Sequence, residues 1–365
     1  MRNSLGADRW LFFAVLALLG IGITMVLSTS YLYAQERFTD GTYLFRKQLL
    51  AAGVGGLALL VAVAVPPTLV RRLAYPVLFG TLCVLILVLI PGIGTAFGGA
   101  RRWISLGGFV FQPAELAKLS LVLYLAHSLA KKDDKAPTFT VKVLPHLIVG
   151  GVMIGLVLME PDFGVGLMLG SLVVLMLFIA GAKISHLVYT SLAVLPFMVM
   201  FLVGADYRLR RLAVFLDPWR DASNSGFQMI QSYIAFGSGE FWGRGLGQSR
   251  QKLFYLPEAH TDFIYSVIGE ELGLWGALLV LGLFGLIVFR GFRLALKLHD
   301  PFGQYLAIGL TTILGLQALI HMAVVMGLMP TKGLVLPFIS YGGSAMVVNL
   351  MGAGLLLGLS RRRFA

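Results

Sequence analysis

Apolar runs separated by short polar breaks recur along the whole chain. Each run is about 20 residues long, which is enough for a helix to cross the roughly 30 Å hydrocarbon core of a bilayer. The pattern predicts an all-α polytopic membrane protein, with one integral membrane domain over residues 1–365. We predict about ten transmembrane helices, at approximate positions 10–33, 47–66, 74–93, 113–131, 143–160, 163–181, 184–204, 263–289, 303–328 and 338–360.

The composition agrees with this pattern. Hydrophobic residues make up 58% of the chain and charged residues 13%, and the mean hydropathy is +0.86. A soluble domain carries about 25% charged residues. The first apolar run is too long for the core of a signal peptide, so we expect a retained anchor. The lone cysteine, Cys83, lies inside the third predicted span and permits no intramolecular disulfide.

The net charge of +12 raises the question of nucleic-acid binding, but its distribution argues against it. With an even number of spans and a cytoplasmic N-terminus, most basic residues fall on one side of the membrane, as the positive-inside rule expects. We therefore predict cytoplasmic N- and C-termini. We also predict that the basic residues face the lipid bilayer and do not bind nucleic acid. The basic clusters are at residues 71–72, 131–135, 183, 290–297 and 361–363.

Four irregular segments share the outer face under this topology. The longest covers residues 205–262 and is rich in Gly, Trp, Tyr and Arg, so we predict one long, ordered extracytoplasmic loop between the seventh and eighth helices. The others are residues 94–112, "MEPDFG" at 159–164, and "LMPTKGLVLPFISYGGSA" at 328–345. Irregular backbone at membrane depth must be surrounded by protein or water. Because all four irregular segments share the outer face, we predict a functional site on that face.

Several charges in these regions are not explained by topology. Arg101 and Arg102 lie on the side where the positive-inside rule depletes basic residues. They are either an exposed pair tolerated by lipid head groups or a cationic clamp for a phosphate-bearing ligand. Glu115 and Lys118 are three residues apart and share a helix face. They form either a structural ion pair or an anion site in which Lys118 faces a polar cavity.

Acidic residues surround the start of the eighth span, in "YLPEAHTDFIYSVIGEELG" at 255–273. Asp262 falls at the helix start, where it could cap backbone amides. Glu270 lies eight residues further, about 12 Å along the helix. Acid at this depth, opposite unexplained cations, indicates a charged cavity that opens outward. Glu160 and Asp162 form a tight turn between two spans, where Asp162 could also be a helix cap.

The irregular stretches resemble the SEDS family of polytopic proteins (FtsW, RodA, SpoVE), and the resemblance covers nearly the whole chain. "GRGLGQSRQK" and "PTKG" are closest to the FtsW branch. The resemblance rests on "RRWISLGGFVFQPAELAK" (101–118), "EPDFG" (160–164), "GFQMIQSYIAFGSGEFWGRGLGQSRQKLFYLPEAHTDFIYSVIGEELG" (226–273) and "GLMPTKGLVLPFISYGGSA" (327–345).

The resemblance implies a peptidoglycan glycosyltransferase that polymerises lipid II at the outer face of the bacterial cytoplasmic membrane, for cell division or cell shape. It also implies partners: a class B penicillin-binding protein, which is a transpeptidase, and other membrane proteins of the division or elongation complex. The family's essential aspartate maps onto Asp262.

Transfer from lipid II needs a base for the acceptor hydroxyl and positive charge for the departing pyrophosphate. We assign the base to Asp262, and we expect partial burial to raise its pKa toward a useful value. The acids could help to hold a divalent cation such as Mg or Mn, although the histidines show no metal-ligand spacing. We expect Arg101, Arg102, Glu115, Lys118, His260 and Lys332 to bind the substrate, supported by Glu160, Asp162, Glu258, Glu270, Ser340 and Tyr341.

Two other functions stay open at this point. Intramembrane acidic and basic residues would also serve a flippase that carries lipid II across the membrane. Alternatively, the long outer loop could make the chain a scaffold that recruits the transpeptidase without doing chemistry.

Overall fold

The structure is a computed structural model that describes residues 8–97, 100–107, 109–132, 138–204, 206–224, 226–253 and 255–362. Most of this part of the chain is helical. The helices are α1 Arg9–Phe38, α2 Tyr43–Ala64, α3 Pro67–Leu89, α4 Pro113–Ala130, α5 Leu144–Met159, α6 Phe163–Ile179, α7 Ile184–Val203, α8 Asp206–Leu216, α9 Phe227–Gly239, α10 Ile264–Ala295, α11 Pro301–Val325 and α12 Gly343–Arg362.

Every predicted span falls on a helix. Among the described residues, seven helical stretches are long and apolar enough to cross a membrane: α1, α2, α3, α10, α11, α12 and the stretch Phe139–Met159, in which a π-helical turn leads into α5. The apolar helix α6 and the apolar part of α7, Ile184–Phe197, are shorter. The chain is therefore a multi-pass helical membrane protein, and a topology of ten crossings stays a prediction.

Helix α4 lies at the centre of the bundle. It packs against α3 and α11, and almost every one of its side chains is buried. Helix α12 packs along α2 at very short range, because a Cβ atom at Gly354 would lie 2.5 Å from the carbonyl oxygen of Leu59. Small residues allow such close helix contacts inside membranes.

The segment between α3 and α4, which we predicted to be irregular, forms a three-stranded antiparallel sheet in the order β1-β2-β3. Its strands are β1 Gly94–Phe97, β2 Ala100–Leu106 and β3 Phe109–Phe111. The Ser344 hydroxyl donates to the Val110 carbonyl (3.0 Å) and accepts from the Gln112 amide (3.0 Å). These bonds attach the sheet to the start of α12.

The eighth predicted span is not one continuous helix. Gly273 interrupts α10 with φ 67° and ψ −165°, and residues 240–253 fold against the interruption. The Leu274 amide donates to the Glu240 carbonyl at 2.9 Å, and the Gly245 amide donates to the Glu271 carbonyl at 3.0 Å. In its described residues, the long connection carries α8, a 3₁₀ turn at Pro218–Asp221, and α9. Its extracytoplasmic position stays a prediction.

Both ends of the described chain meet at one end of the bundle. Asp8 caps α1, its amide donates to the Ser360 hydroxyl at 2.9 Å, and its carboxylate binds Arg290 near the end of α10. Asp262 precedes the other end of α10. This geometry agrees with termini on a common side, whose cytoplasmic identity stays a prediction. Of the basic clusters used for that prediction, Lys135 and Arg363 lie outside the described residues.

Candidate active site

A cavity of about 260 Å³ opens at the end of the bundle opposite Asp8 and Ser360. Asp262 lines it, immediately before α10. Four other elements contribute cationic or acidic side chains to its wall: β2, the turn 160–162, α8 and the segment 331–342 between α11 and α12. These side chains are Arg102, Asp162, Arg208, Arg211 and Lys332.

A second cavity of about 370 Å³ adjoins the first. Asp262, Arg211 and Lys332 line both cavities. The second adds amide side chains, Asn224 and Gln228, from the region before α9 and its first turn. Asp262 therefore lies where a strongly cationic cavity meets one with more neutral polar groups.

The carboxylate of Asp262 is not a helix cap. The N-cap position of α10 is Phe263, and within the described part of the chain no amide of α10 donates to the Asp262 side chain. The backbone of Gly333 lies opposite, and a Cβ atom there would be 3.0 Å from Asp262 Oδ2. A glycine at this position leaves the carboxylate facing the cavities.

The surroundings of Asp262 raise its pKa to about 7. Burial is the largest cause, and the negative charges of Glu258 and Asp162 add to it. Arg211 and Arg102 act in the opposite direction by favouring the charged carboxylate. A carboxylate with a pKa near neutrality is suited to take a proton from an alcohol.

Lys332 is the cation carried by the 331–342 segment. Burial lowers its pKa to about 8, so it retains its proton at neutral pH. Its Nζ lies 4.9 Å from the centre of the Phe163 ring, a cation–π distance. Lys332 therefore brings a partly desolvated positive charge to both cavities.

The predicted arginine clamp has one member at the cavity instead of two. Arg102 lines the cavity and donates from Nε to the Glu160 carbonyl (3.0 Å) and from Nη2 to the Pro161 carbonyl (2.5 Å). Arg101 is exposed and does not line the cavity. Successive residues of a strand point to opposite faces, which separates this pair.

Two arginines of α8 that line the first cavity were not predicted from the sequence. Arg208 and Arg211 are three residues apart, so they share one face of the helix. Arg211 Nη1 lies 3.5 Å from the Thr331 carbonyl. Their presence in a loop predicted to be extracytoplasmic, against the positive-inside rule, is the signal that could have identified them.

Glu115 and Lys118 form the structural ion pair that we left open as an alternative. Lys118 Nζ lies 2.8 Å from the carboxylate of Glu115 and donates to Gln317 Oε1 at 2.7 Å. Both charged side chains are buried, and neither lines the two cavities around Asp262. An anion site at Lys118 is therefore corrected to a buried link between α4 and α11.

Glu270 and Glu271 hold the 240–253 loop, and they do not extend the cavity inward. Glu270 accepts from the Arg250 amide at 2.9 Å. Glu271 accepts from the Gly247 amide at 2.9 Å and pairs with Lys252 Nζ at 2.8 Å. The predicted deep acidic cavity is wrong at these positions, because loop amides and Lys252 satisfy both carboxylates.

Of the two predicted acidic residues in the 160–162 turn, Asp162 lines the first cavity and Glu160 does not. Asp162 Oδ1 caps α6 by accepting from the Val165 amide at 3.1 Å, while the side chain also lines the cavity. The carboxylate of Glu160 is buried and accepts no hydrogen bond from any residue that the structure describes. Burial and the charge of Asp162 raise the pKa of Glu160 to about 8.

The remaining predicted residues lie in or against the segment that leads into Asp262: Glu258, Ser340 and Tyr341 were predicted to support the site, and His260 was predicted to bind the substrate. Glu258 is exposed and accepts from the Thr261 hydroxyl at 2.8 Å. The His260 ring lies between the rings of Tyr33 and Tyr341, with centroids at 4.9 and 5.7 Å, and does not line either cavity. Ser340 donates from its hydroxyl to the Thr261 carbonyl at 2.7 Å.

A metal site is not identified by the geometry. Over the described residues, no three His, Cys, Asp or Glu side chains lie close enough to hold a metal ion together. We therefore assign no step to a cation other than the basic side chains.

Comparison with known proteins places these features in a family. The family model for FtsW, RodA and SpoVE, described as "Cell cycle protein", matches residues 9–364. A probable peptidoglycan glycosyltransferase FtsW from Geobacter metallireducens is 45% identical over 97% of this chain and 95% of its own length. Stage V sporulation protein E from Bacillus subtilis is 40% identical over 97% of each chain.

Solved structures show the same architecture. A chain from a structure described as the structural coordination of polymerization and crosslinking by a peptidoglycan synthase complex matches with TM-score 0.79, 31% identity and 98% coverage of both chains. The rod shape determining protein RodA of Thermus thermophilus matches with TM-score 0.74 and 29% identity, over 100% of this chain and 99% of that one. The chain therefore belongs to the FtsW/RodA/SpoVE (SEDS) family, on its FtsW branch.

Proposed function

We propose that the protein is a peptidoglycan glycosyltransferase that polymerises lipid II into β-1,4-linked glycan strands, with Asp262 as the general base. Relatives on the FtsW branch that are named probable peptidoglycan glycosyltransferases support the activity. The observation that carries the mechanism is the position of Asp262, which lines both adjoining cavities together with Arg211 and Lys332.

The reaction is a single inverting displacement. The acceptor sugar hydroxyl attacks the anomeric carbon of the donor while its proton passes to Asp262. The bond from that carbon to the lipid pyrophosphate breaks, and the electron pair leaves with the pyrophosphate. Because the α linkage of the donor becomes a β linkage in one step, no covalent enzyme intermediate is required.

The cationic cavity suits the departing pyrophosphate. Arg102, Arg208, Arg211 and Lys332 line it. Fixed positive charges in a partly desolvated site stabilise the negative charge that develops in the transition state. Arginine also matches phosphate oxygens with two parallel hydrogen bonds. An acidic leaving group of this kind needs no separate general acid.

The reaction takes place, in this proposal, at the outer face of the cytoplasmic membrane, during cell-division or cell-shape wall synthesis. The synthase complex that contains a similar chain coordinates polymerization with crosslinking. That likeness supports a partner with crosslinking activity, which we propose to be a class B penicillin-binding protein. Lipid-anchored substrates would reach the cavities laterally from the bilayer.

Purified protein in liposomes with lipid II in the outer leaflet tests this function. We expect glycan polymer, measured by gel electrophoresis of labelled strands, in the presence of the transpeptidase partner. Movement of lipid II across the bilayer without polymer would instead support the flippase. Neither polymer nor movement, with the transpeptidase complex intact, would support the scaffold.

A further inference from the structure

The segment 331–342 carries Lys332 and Gly333 to Asp262 without being helical. It lies between the end of α11 and the start of α12, and its residues from Leu334 to Ser340 are mostly buried. Backbone amides and carbonyls buried in such a segment need partners from the surrounding protein. The identity of those partners determines how firmly Lys332 and Gly333 are positioned.

Helix α11 supplies two of the partners. Gln317 Nε2 donates to the Val335 carbonyl at 2.8 Å, and His321 Nδ1 lies 2.6 Å from the Leu334 carbonyl. Gln317 also accepts from Lys118, so the buried Glu115–Lys118 pair is connected to this segment. These contacts fix its first half.

Helix α2 holds the second half through one side chain, Gln48. Its Nε2 donates to the Ser340 carbonyl at 3.1 Å, and its Oε1 accepts from the Gly342 amide at 3.2 Å. The side chain of Gln48 is 1% exposed and lines neither cavity. A buried amide that is bonded at both ends holds the backbone in one register, because losing either bond leaves a buried polar group unpaired.

Ser340 connects the 331–342 segment to the residues directly before Asp262. Its hydroxyl accepts from the Leu336 amide at 2.8 Å and donates to the Thr261 carbonyl at 2.7 Å. The Tyr341 amide donates to the His260 carbonyl at 2.9 Å. Both residues directly before Asp262 are therefore bonded to the segment that carries Lys332.

We infer that Gln48 and Ser340 are positioning residues, which hold the Asp262 carboxylate at a fixed distance from Lys332 through the backbone of residues 331–342. The inference rests on the proposed function. Neither side chain contacts the substrate in this account. A misplacement of about 1 Å in an active site can reduce turnover by about 100-fold.

Three variants and one control test the inference in the lipid II polymerisation assay. Gln48→Leu keeps the approximate volume and removes both amide bonds, and Ser340→Ala removes the hydroxyl. We expect kcat to fall by about 10- to 100-fold in each, with KM for lipid II unchanged within about twofold. In the double variant we expect a loss well below the product of the two single losses, because both residues act on the same backbone.

Gln304→Leu is the matched control. Gln304 donates from its amide to the Leu298 carbonyl at the other end of the bundle. We expect it to lower thermal stability without lowering kcat. Wild-type kcat in Gln48→Leu and in Ser340→Ala would overturn the inference, as would equal kcat losses in Gln48→Leu and Gln304→Leu. If Gln48→Leu does not fold, the comparison of kcat between Ser340→Ala and Gln304→Leu tests the inference.

Failure of this inference is distinguishable from failure of the proposed function. Polymerisation by an Asp262→Asn variant would contradict the function of the site itself. An inactive Asp262→Asn protein together with fully active Gln48→Leu and Ser340→Ala proteins would overturn only the positioning role.

Discussion

At the scale of single residues, neighbouring charges of opposite sign act on the pKa of Asp262. Glu258 and Asp162 raise its pKa together with burial, while Arg211 and Arg102 lower it. The resulting value, about 7, allows the carboxylate to be ionised before reaction and still basic enough to accept a proton. The same basic residues that moderate the pKa also line the cavity proposed for the pyrophosphate.

The pH dependence of polymerisation should report this balance. The rate should rise as Asp262 loses its proton near pH 7 and fall as Lys332 loses its proton near pH 8, giving a bell-shaped profile. Glu258→Gln removes a repelling charge and should move the acidic limb to lower pH. Arg211→Gln removes an attracting charge and should move the limb to higher pH, with a rate loss of about 10-fold.

Initial rates of polymer formation between pH 5.5 and 9 provide the measurement. Glu36→Gln, a change of an exposed carboxylate on α1, serves as the control and should leave both limbs in place. Acidic limbs that move in the same direction in Glu258→Gln and Arg211→Gln would contradict the assignment of that limb to Asp262.

The sequence identified part of this site because charges at a membrane surface are costly. Asp262 and Arg102 stood out for that reason, and Lys332 was assigned after the family resemblance had been drawn on the segment that contains it. Arg208 and Arg211 were not predicted, although basic residues in an outer loop run against the positive-inside rule. The helix α8 that carries both to the cavity had not been predicted either. The difference between Arg101 and Arg102 follows from strand alternation, but their segment had not been predicted as a strand.

At the scale of secondary-structure elements, the interruption of α10 fixes the loop that returns the chain to Asp262. Gly273 adopts a positive φ of 67°, and a Cβ atom there would lie 2.3 Å from the Gly243 amide nitrogen. Loop residues 240–253 then bind the carboxylates of Glu270 and Glu271. The loop and the first part of α10 therefore form one packed unit below the cavity.

Gly273→Ala should disrupt this unit. The added Cβ meets backbone that has no room to move, and alanine disfavours a positive φ, so we expect a destabilisation of about 1–3 kcal/mol. Gly282→Ala in the same helix is the matched control, because a Cβ atom there meets nothing within 4 Å. It should be neutral or stabilising by up to about 1 kcal/mol.

Thermal unfolding of the two variants in detergent, together with polymerisation activity, checks this prediction. We expect a lowered midpoint and reduced activity for Gly273→Ala alone. Equal unfolding midpoints for both variants would contradict a structural role for the interruption at Gly273.

Apolar runs located the helices of the ten predicted spans, but the break in α10 was not predictable from them. Residues 263–289 are apolar enough to form a single span, and a glycine within such a run is common. The break depends on the approach of Gly243 from a distant part of the chain. The sheet in residues 94–111 was not predicted because its short strands lack a regular alternation of apolar and polar residues. In β2 the adjacent Arg101 and Arg102 interrupt such a pattern.

At the scale of the whole molecule, the cavities and the two ends of the described chain lie at opposite ends of the helix bundle. Asp8, Arg290 and Ser360 meet at one end, and Asp262 lies at the other. If the termini are cytoplasmic, as the basic residues predict, the cavities face outward, where we propose that lipid-linked substrates are polymerised. Cavity orientation therefore depends on the topology.

Labelling with a membrane-impermeant maleimide tests this topology in intact cells. In a Cys83→Ser background, a cysteine at the exposed position Arg220 should be labelled from outside. A cysteine at Leu296, which is 86% exposed at the opposite end, should be labelled only after the membrane is permeabilised. The reverse pattern would place the cavities on the cytoplasmic side and exclude the proposed location of the reaction.

The most direct test of the account is the rate at which purified Asp262→Asn protein polymerises lipid II, compared with wild type and Glu36→Gln. The substitution keeps the size of the side chain and removes its ability to take a proton. We predict a rate at least about 100-fold below wild type, at unchanged thermal stability, and a wild-type rate for Glu36→Gln. A rate for Asp262→Asn within a few-fold of wild type would show that the carboxylate is not the base.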